Sequence, residues 1–401
     1  MRREEGYLSL FGWLVGLFLW CPALALPVGF IFLQPLDVLV LLSPPLLWRL
    51  RAVIPPRAIV LLVLFWVSIG LSYLQGGSLV ILIYYIVFIS LFLLLIGAIM
   101  TSRRAKNHLI AGFLIGGWLS FVLFAAQLWL GAEALDFRNN LNFRLPAHFG
   151  RGFALFPEVS TFAAHAITWL AILFLLLLRN PSRQGLWLVF MAAIFLLMFT
   201  RSTSVIALLP LFIGGGLVVA LRPSLNNALL MGVVLGVVTL VLLAFVGVFF
   251  VERLETNAAG RSFAMRLASI LAGFSTLSSG EVFGVGLGQN DEIRLRAFEI
   301  ARQTGLVFGR LPEGVNSLVV TRIFEEGWPA VLHLGLPMYW LAQCWRQRPD
   351  LPAQQTLLIL ASSALVISLA IIGYRGIYTS WLWLGIAPAL VSPRPMGRVL
   401  R

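Results

Sequence analysis

Long apolar runs recur along almost the whole chain, and they constrain its fold more than any other feature of the sequence. Most run for about 17–25 residues, the length at which a helix crosses a bilayer core about 30 Å thick. A transmembrane barrel would instead show strands of about ten residues with alternating polarity, and the sequence lacks that pattern. Hydrophobic residues make up 60% of the chain and charged residues only 11%, far from the balance of a soluble fold. The sequence therefore predicts an all-α polytopic membrane protein.

About twelve apolar segments are predicted to cross the membrane, and together they make residues 1–401 a single transmembrane domain. The start of the chain resembles a signal peptide, but its apolar part is too long and no small-residue cleavage site follows, so it is interpreted as the first span. The predicted spans are Leu8–Leu26, Val28–Leu47, Ala58–Leu74, Leu79–Met100, Leu109–Leu130, Val159–Leu178, Leu186–Phe199, Val205–Leu221, Ala228–Val251, Trp328–Trp345, Thr356–Gly373 and Ile377–Val391.

Basic residues lie mainly on one side of this topology. With both termini in the cytoplasm, the cytoplasmic segments hold 16 basic residues and only three acidic ones, an excess equal to the net charge of +13. This distribution follows the positive-inside rule, which supports the orientation. The high isoelectric point is thus a consequence of topology, and nucleic acid is not predicted as a partner.

Two segments on the opposite, periplasmic side are longer than simple connections: residues 131–158 and residues 252–327. The second contains an amphipathic helix near Ser262–Phe274, a glycine-rich turn near Phe283–Asn290 and a second amphipathic stretch near Asp291–Thr304. Loops of this size in a compact protein are usually functional elements. The glycine-rich turn lacks the strand–turn–helix context of a dinucleotide-binding motif and is interpreted as a flexible turn.

Arginines on the outward side are the main candidates for chemistry. Arg201 and Arg375 stand in tight turns between apolar spans, where an ionisable residue is costly and is a functional hypothesis by default. Guanidinium groups bind phosphate through planar, often bidentate hydrogen bonds, so converging arginines suit a pyrophosphate at the headgroup level. For Arg201 and Arg375, the alternative is that their side chains simply reach the interface.

Several charged residues have a structural interpretation beside the functional one. Arg322 precedes Glu325 and Glu326 at helical pairing distance, so a salt bridge and a substrate contact are both open. Glu158, at the mouth of the sixth span, is a candidate acid–base residue, or else a charge that stabilises the N-terminus of a helix capped by Ser160. A solvated, ion-paired face is predicted for Arg294, Arg296 and Arg302, which alternate with Asp291, Glu292 and Glu299.

The histidines and cysteines give weaker signals. Only His148 is placed to act as an outward base, whereas His165 is interpreted as a core residue. His108 is cytoplasmic and His333 lies in mid-span, so neither suits outward chemistry. The two cysteines lie far apart in apolar segments, where core positions are more common than a disulfide or metal site. The sequence predicts no metal and no cofactor.

Four motifs, in order, resemble the O-antigen polymerase/ligase superfamily, multispanning enzymes that join lipid-linked glycans on the periplasmic face. The resemblance covers roughly residues 150–330. The motifs are Arg151-Gly-Phe…Phe156-Pro-Glu-Val-Ser160; Thr200-Arg-Ser202; Gly260-Arg261…Arg266 with Phe283-Gly-Val-Gly-Leu-Gly288; and Asn316-Ser-Leu…Glu325-Glu-Gly327.

The resemblance implies a metal-independent glycosyltransferase in the bacterial inner membrane whose active site faces the periplasm. Its donor and acceptor would be glycans linked to undecaprenyl pyrophosphate, and a chain-length regulator protein is a further candidate partner. Acceptor activation would fall to Glu158, with Glu325 as the alternative. The pyrophosphate would be held by Arg151, Arg201, Arg261 and Arg266.

The sequence departs from the family pattern at two positions, and the first departure favours a polymerase or a divergent member that handles another exopolysaccharide. Val315 stands where the ligase branch has a histidine, and Val159 replaces the usual proline after Glu158. The alternatives are an O-antigen ligase acting on lipid A–core, a lipid-linked glycan transporter and a structural membrane protein. A transporter predicts internal repeats and charges in both halves of the membrane, which the sequence does not show. A structural protein leaves the outward arginines unexplained.

Overall fold

The computed structural model describes residues 2–28, 31–50, 54–132, 134–137, 152–156, 159–179, 184–200, 202, 258–305, 317–346 and 378–391. These residues are mostly helical, with one antiparallel hairpin formed by β1 (Leu26–Val28) and β2 (Ile31–Leu33). The helices in chain order are α1 (Arg2–Phe18), α2 (Pro35–Leu41), α3 (Pro44–Arg49), α4 (Pro56–Leu74), α5 (Leu79–Tyr84), α6 (Ser90–Thr101), α7 (Arg103–Leu130), α8 (Val159–Arg179), α9 (Gln184–Met198), α10 (Ala258–Ser278), α11 (Asn290–Gln303), α12 (Leu318–Glu326), α13 (Trp328–Arg346) and α14 (Thr379–Leu390).

Three helical stretches of the described residues are long and apolar enough to cross a bilayer: Pro56–Leu74, Leu79–Thr101 and Arg103–Leu130. Shorter apolar helices cover Thr161–Phe174 and Gln184–Met198. The prediction of a helical, membrane-embedded protein is confirmed at this level.

Most predicted spans within the described residues coincide with helices, but two do not. Leu8–Leu26 is helical only as far as Phe18, where α1 ends, and Leu26 already belongs to β1. Val28–Leu47 is divided among the hairpin and the short helices α2 and α3, so the prediction of a single spanning helix there is wrong. Two prolines stand at the breaks: Pro35 and Pro44 each begin a helix, the position at which the missing N–H donor of proline costs no hydrogen bond. The predicted spans Val205–Leu221, Ala228–Val251 and Thr356–Gly373 lie outside the described residues.

A π-helical turn at Tyr85–Ile89 joins α5 to α6 within one continuous apolar stretch. The Ser90 hydroxyl donates to the carbonyl oxygen of Tyr85 at 3.0 Å, and the Trp66 indole donates to that same hydroxyl at 2.7 Å. Turns of this kind are rare and often occur at functional sites. Tyr85, the first residue of this turn, is fully buried.

The described chain divides into two compact units. Unit 1 comprises Met1–Val15, Leu36–Ile110 and Gly260–Arg401. Within it, α14 packs against α6 and α13, and α13 packs against α4. Tyr378, just before α14, is buried and donates a hydrogen bond to the buried Asp37 of α2.

Unit 2 comprises Gly16–Pro35 and Ala111–Ala259. Its core is rich in aromatic side chains, which prefer edge-to-face and offset contacts. Trp20 lies 5.1 Å from Phe113 and 5.9 Å from Phe156, measured between ring centroids.

Three helices of the predicted second outer loop form a small hydrophobic core within unit 1. Both predicted amphipathic stretches are helical, as α10 and α11. The third helix, α12, was not predicted from the sequence. Alanines allow the helix axes to approach closely, and the shared core consists of Ala268, Ala272, Ile293, Ala297, Ala301, Val320 and Phe324.

Candidate functional site

The short helix α12 places three charged side chains in the interior of unit 1. Its N-terminus is capped by the Ser317 hydroxyl, which accepts a hydrogen bond from the Val320 N–H at 3.3 Å. Arg322, Glu325 and Glu326 are 0%, 1% and 0% exposed. Their spacing of three and four residues puts them on neighbouring positions of one helical face.

These side chains form a buried ionic cluster. Nη1 of Arg322 lies 3.3 Å from Oε2 of Glu325, and Nη2 of Arg322 pairs with Oε1 of Glu326. The other oxygen of Glu326 accepts a hydrogen bond from the Ser68 hydroxyl of α4 and lies 3.4 Å from Nδ1 of His333. The salt-bridge interpretation of Arg322 is therefore confirmed, and His333, which was not expected to lie near an outward site, belongs to the cluster.

Aromatic rings surround the guanidinium group of Arg322. Its Cζ atom is 4.3 Å from the centroid of the Tyr85 ring and 5.7 Å from the centroids of Phe65 and Trp381. A cation over aromatic faces in a desolvated setting is stabilised by the ring quadrupoles. Within the described part of the chain, Nε of Arg322 and Nε2 of His333 have no hydrogen-bond partner.

The glycine-rich turn, which was interpreted from the sequence as a flexible turn, is hydrogen-bonded to the end of α12. The N–H of Val285 donates to the carbonyl of Phe324 and the N–H of Gly286 to the carbonyl of Glu325, both at 3.1 Å. The N–H of Gly288 donates to Oε1 of Glu325 at 2.8 Å. These N–H groups are engaged with α12 and are not available to cradle a phosphate.

The serines of α4 join this assembly to an apolar helix long enough to span the membrane. The Ser72 hydroxyl donates to the carbonyl of Glu325 at 2.5 Å, one turn along α4 from Ser68. Both serines are buried. Membrane helix, glycine turn and α12 therefore meet at Glu325 and Glu326.

Three of the six predicted site residues lie within the described part of the chain, and three do not. Arg151, Glu158 and Arg201 lie outside the described residues. Arg261 and Arg266 lie on α10, as predicted for the arginine-bearing helix. Glu325 lies in the ionic cluster. Ser68 was missed because it lies 258 residues from Glu326. His333 lies only seven residues after Glu326, but it stands in the apolar run of α13 and was interpreted as a mid-span residue.

Two of the three arginines predicted to form an ion-paired face on α11, Arg294 and Arg296, are ion-paired, and Arg296 has one further partner. Arg294 pairs with Asp291 at 2.9 Å, and Arg296 pairs with Glu292 at 3.1 Å. Arg296 also reaches Glu281, before α11, with its two terminal nitrogens at 2.7 and 3.0 Å. The hydrogen bonds from Arg296 hold the pKa of Glu281 below its ordinary value. This pair joins α11 to the end of α10.

The first motif, in unit 2, is described at residues 152–156. Phe156 is buried, and its ring centroid is 4.5 Å from that of His165. A ring nitrogen of His165 contacts the carbonyl of Thr161 at 2.8 Å. This confirms the interpretation of His165 as a core residue.

Among the described residues, no group of three or more His, Cys, Asp and Glu side chains is arranged to hold a metal ion. Comparison with protein-family models gives no match, and comparison with curated proteins gives no significant one.

Proposed function

We propose that the chain is a membrane glycosyltransferase that polymerises oligosaccharide repeat units linked to undecaprenyl pyrophosphate. In this proposal about twelve helices span the bacterial inner membrane, both termini are cytoplasmic, and residues 131–158 and 252–327 face the periplasm. The apolar helices support a membrane location. A chain-length regulator protein is a candidate partner.

One observation carries the proposal. Two motifs that resemble the polymerase/ligase pattern, separated in sequence, are in direct contact. The glycine turn of the third motif binds Phe324 and Glu325 at the end of the fourth. The α10 helix that bears Arg261 and Arg266 shares a hydrophobic core with α12. Such contacts are expected if the motifs belong to one functional element.

The proposed reaction is a displacement at the anomeric carbon of the donor glycan. The acceptor hydroxyl oxygen forms the new glycosidic bond, the bond from the anomeric carbon to the pyrophosphate oxygen breaks, and undecaprenyl pyrophosphate leaves with the electron pair. Negative charge develops on the leaving group, so fixed guanidinium groups there lower the barrier. Arg151, Arg201, Arg261 and Arg266 are assigned this role, and no metal ion is required.

Glu158 is assigned the role of accepting the proton of the acceptor hydroxyl, with Glu325 as the alternative. The geometry of Glu325 favours this order. One of its oxygens accepts the Gly288 N–H and the other pairs with Arg322, and its side chain is buried. These contacts suit a residue that positions the glycine turn better than one that receives a proton.

Arg201→Ala tests the assignment. The variant should insert and fold but form no polymer, because the leaving pyrophosphate loses a positive partner. Purified protein is incubated with lipid-linked oligosaccharide without added metal, and longer products are resolved as a ladder. Arg294→Ala, which removes a surface arginine paired with Asp291, is the matched control and should give the wild-type ladder.

A normal ladder from Arg201→Ala would contradict the site. The same assay separates the alternatives to a polymerase. A single transfer onto lipid A–core would identify a ligase, and movement of lipid-linked glycan across vesicles without new bonds would identify a transporter.

A further inference from the structure

Gln127, near the end of α7, makes three side-chain hydrogen bonds to the backbone of the first motif and a fourth to Leu135. Its oxygen accepts the N–H of Phe153 at 2.8 Å and the N–H of Ala154 at 2.7 Å. Its nitrogen donates to the carbonyls of Leu135 at 3.0 Å and Ala154 at 3.2 Å. An amide has two acceptor lone pairs and two N–H donors, so its capacity is filled. Gln127 is 1% exposed.

The backbone that Gln127 holds is strained. Ala154 has φ of +50°, the left-handed region that a side chain with a Cβ disfavours. Both polar backbone groups of this residue bind the one amide. Strained residues of this kind persist only where their surroundings over-determine them, and they cluster at functional sites.

The residues on either side of Ala154 are held by different means. A Cβ atom at Gly152 would lie 2.7 Å from the Phe124 ring, so the backbone approaches that ring closely. The carbonyl of Leu155 accepts the N–H of Ala23 at 3.0 Å. Within this segment, Gln127 supplies the polar side chain that determines the conformation of residues 153 and 154.

We infer that Gln127 is a positioning residue of the transfer site, which rests on the proposed function. Arg151 precedes the bound dipeptide by two residues, and Glu158 follows it by four. Chain connectivity therefore makes the placement of both assigned residues depend on the backbone that Gln127 holds. A displacement of about 1 Å at reacting groups can lower a rate by about a hundredfold.

Two variants of Gln127 and one control test the inference. Gln127→Leu keeps the approximate volume and loses all four bonds. Gln127→Glu keeps the two accepted N–H bonds but places a carboxylate oxygen against two carbonyl oxygens. Gln343→Leu is the matched control, because Gln343 donates to the Tyr339 hydroxyl of its own helix in an exposed hydrogen bond. Each protein is examined by hydrogen exchange of the peptide covering residues 151–158 and by polymerisation kinetics.

We expect Gln127→Leu to accelerate exchange at Phe153 and Ala154 and to lower kcat by about 10–100-fold, with a much smaller change in KM. Gln127→Glu should also accelerate exchange and lower kcat, because its buried carboxylate faces two carbonyl oxygens, and Gln343→Leu should match wild type. A purely structural role would instead lower the amount of folded protein at unchanged kcat.

The two readouts separate the possible failures. Unchanged exchange in Gln127→Leu would show that the clamp does not hold the segment. Accelerated exchange with wild-type kcat would show that the clamp is real but positions nothing in the reaction. A wild-type protein that forms no polymer at all would overturn the proposed function, and the inference with it, whatever the exchange data show.

Discussion

Arg322 shows how a buried charge can be accommodated in an apolar protein. Its guanidinium pairs with Glu325 and Glu326 and lies over the ring of Tyr85. Desolvating charges is unfavourable, and the mutual attraction of the ions offsets the loss only where further hydrogen bonds satisfy the remaining groups. Here Ser68 and the N–H of Gly288 bind the carboxylates. The cluster is therefore sensitive to loss of any one partner.

Arg322→Met should destabilise the protein by about 3–5 kcal/mol, because it leaves two buried carboxylates without their cation while roughly keeping side-chain length. The measurement is thermal unfolding of the purified protein in detergent. Arg294→Met, made at a partly exposed arginine, controls for the substitution itself. An Arg322→Met protein as stable as Arg294→Met would show that the arginine does not stabilise the folded state.

At this scale, local spacing predicted part of the cluster. The separation of Arg322 from Glu325 and Glu326 is a helical spacing and indicated pairing. Ser68 and His333 could not be predicted in the same way. Ser68 lies 258 residues from the carboxylate that it binds. A hydroxyl or imidazole group within an apolar run gives the same sequence pattern whether or not a charged side chain contacts it in the fold.

Among the elements, the glycine-rich turn and α12 depend on one another. The turn lies so close to α12 that a Cβ atom on Gly284 would collide with the backbone of Glu325. Gly284 also has φ of +72°. The absence of a side chain at Gly284 is thus required both for the close contact with α12 and for the backbone conformation.

Two glycine variants separate these requirements. Gly284→Ala and Gly280→Ala both place a side chain at positive φ, of +72° and +86°, but a Cβ at Gly280 meets open space. Gly284→Ala should therefore destabilise the protein by about 1–3 kcal/mol more than Gly280→Ala, the usual range for inserting atoms into a packed site. Equal unfolding temperatures for the two variants would contradict the close approach.

Elements with a long, regular pattern were the predictable ones. The amphipathic spacing in α10 and α11 and the apolar runs of α4 and α7 each identify a helix. Helix α12 was missed because it has nine residues and buries charges on the face where a pattern search expects apolar side chains. The prediction at Val28–Leu47 failed for a different reason. The mean hydropathy of this segment is that of a spanning helix, but it does not register that new helices begin at Pro35 and Pro44.

For the whole molecule, the unequal distribution of basic residues between the two sides of the membrane predicts the orientation of the chain, which the number of helices does not. From the excess of basic residues on the predicted cytoplasmic side, we expect α10 and α11 to lie on the other side of the membrane. Ser278, at the end of α10, is exposed, and so is Asn107, near the start of α7.

Cysteine labelling in a background carrying Cys21→Ala and Cys344→Ala tests this orientation. A cysteine at position 278 should react with a membrane-impermeant maleimide in intact spheroplasts. A cysteine at position 107 should react only after the membrane is permeabilised. The reverse labelling pattern would show that the predicted topology is inverted, and that the proposed reaction occurs on the opposite side of the membrane.

The bonds from Ser68 and Ser72 to α12 also bear on how the protein is made. They join residues 258 and 253 positions apart, so α4 leaves the ribosome long before its partners exist. During that interval each serine hydroxyl can turn back to a carbonyl of its own helix. Arrival of α12 exchanges these local bonds for contacts with Glu325 and Glu326. A nascent chain that ends before residue 325 cannot make this exchange, so the contact can form only after translation has passed Glu326.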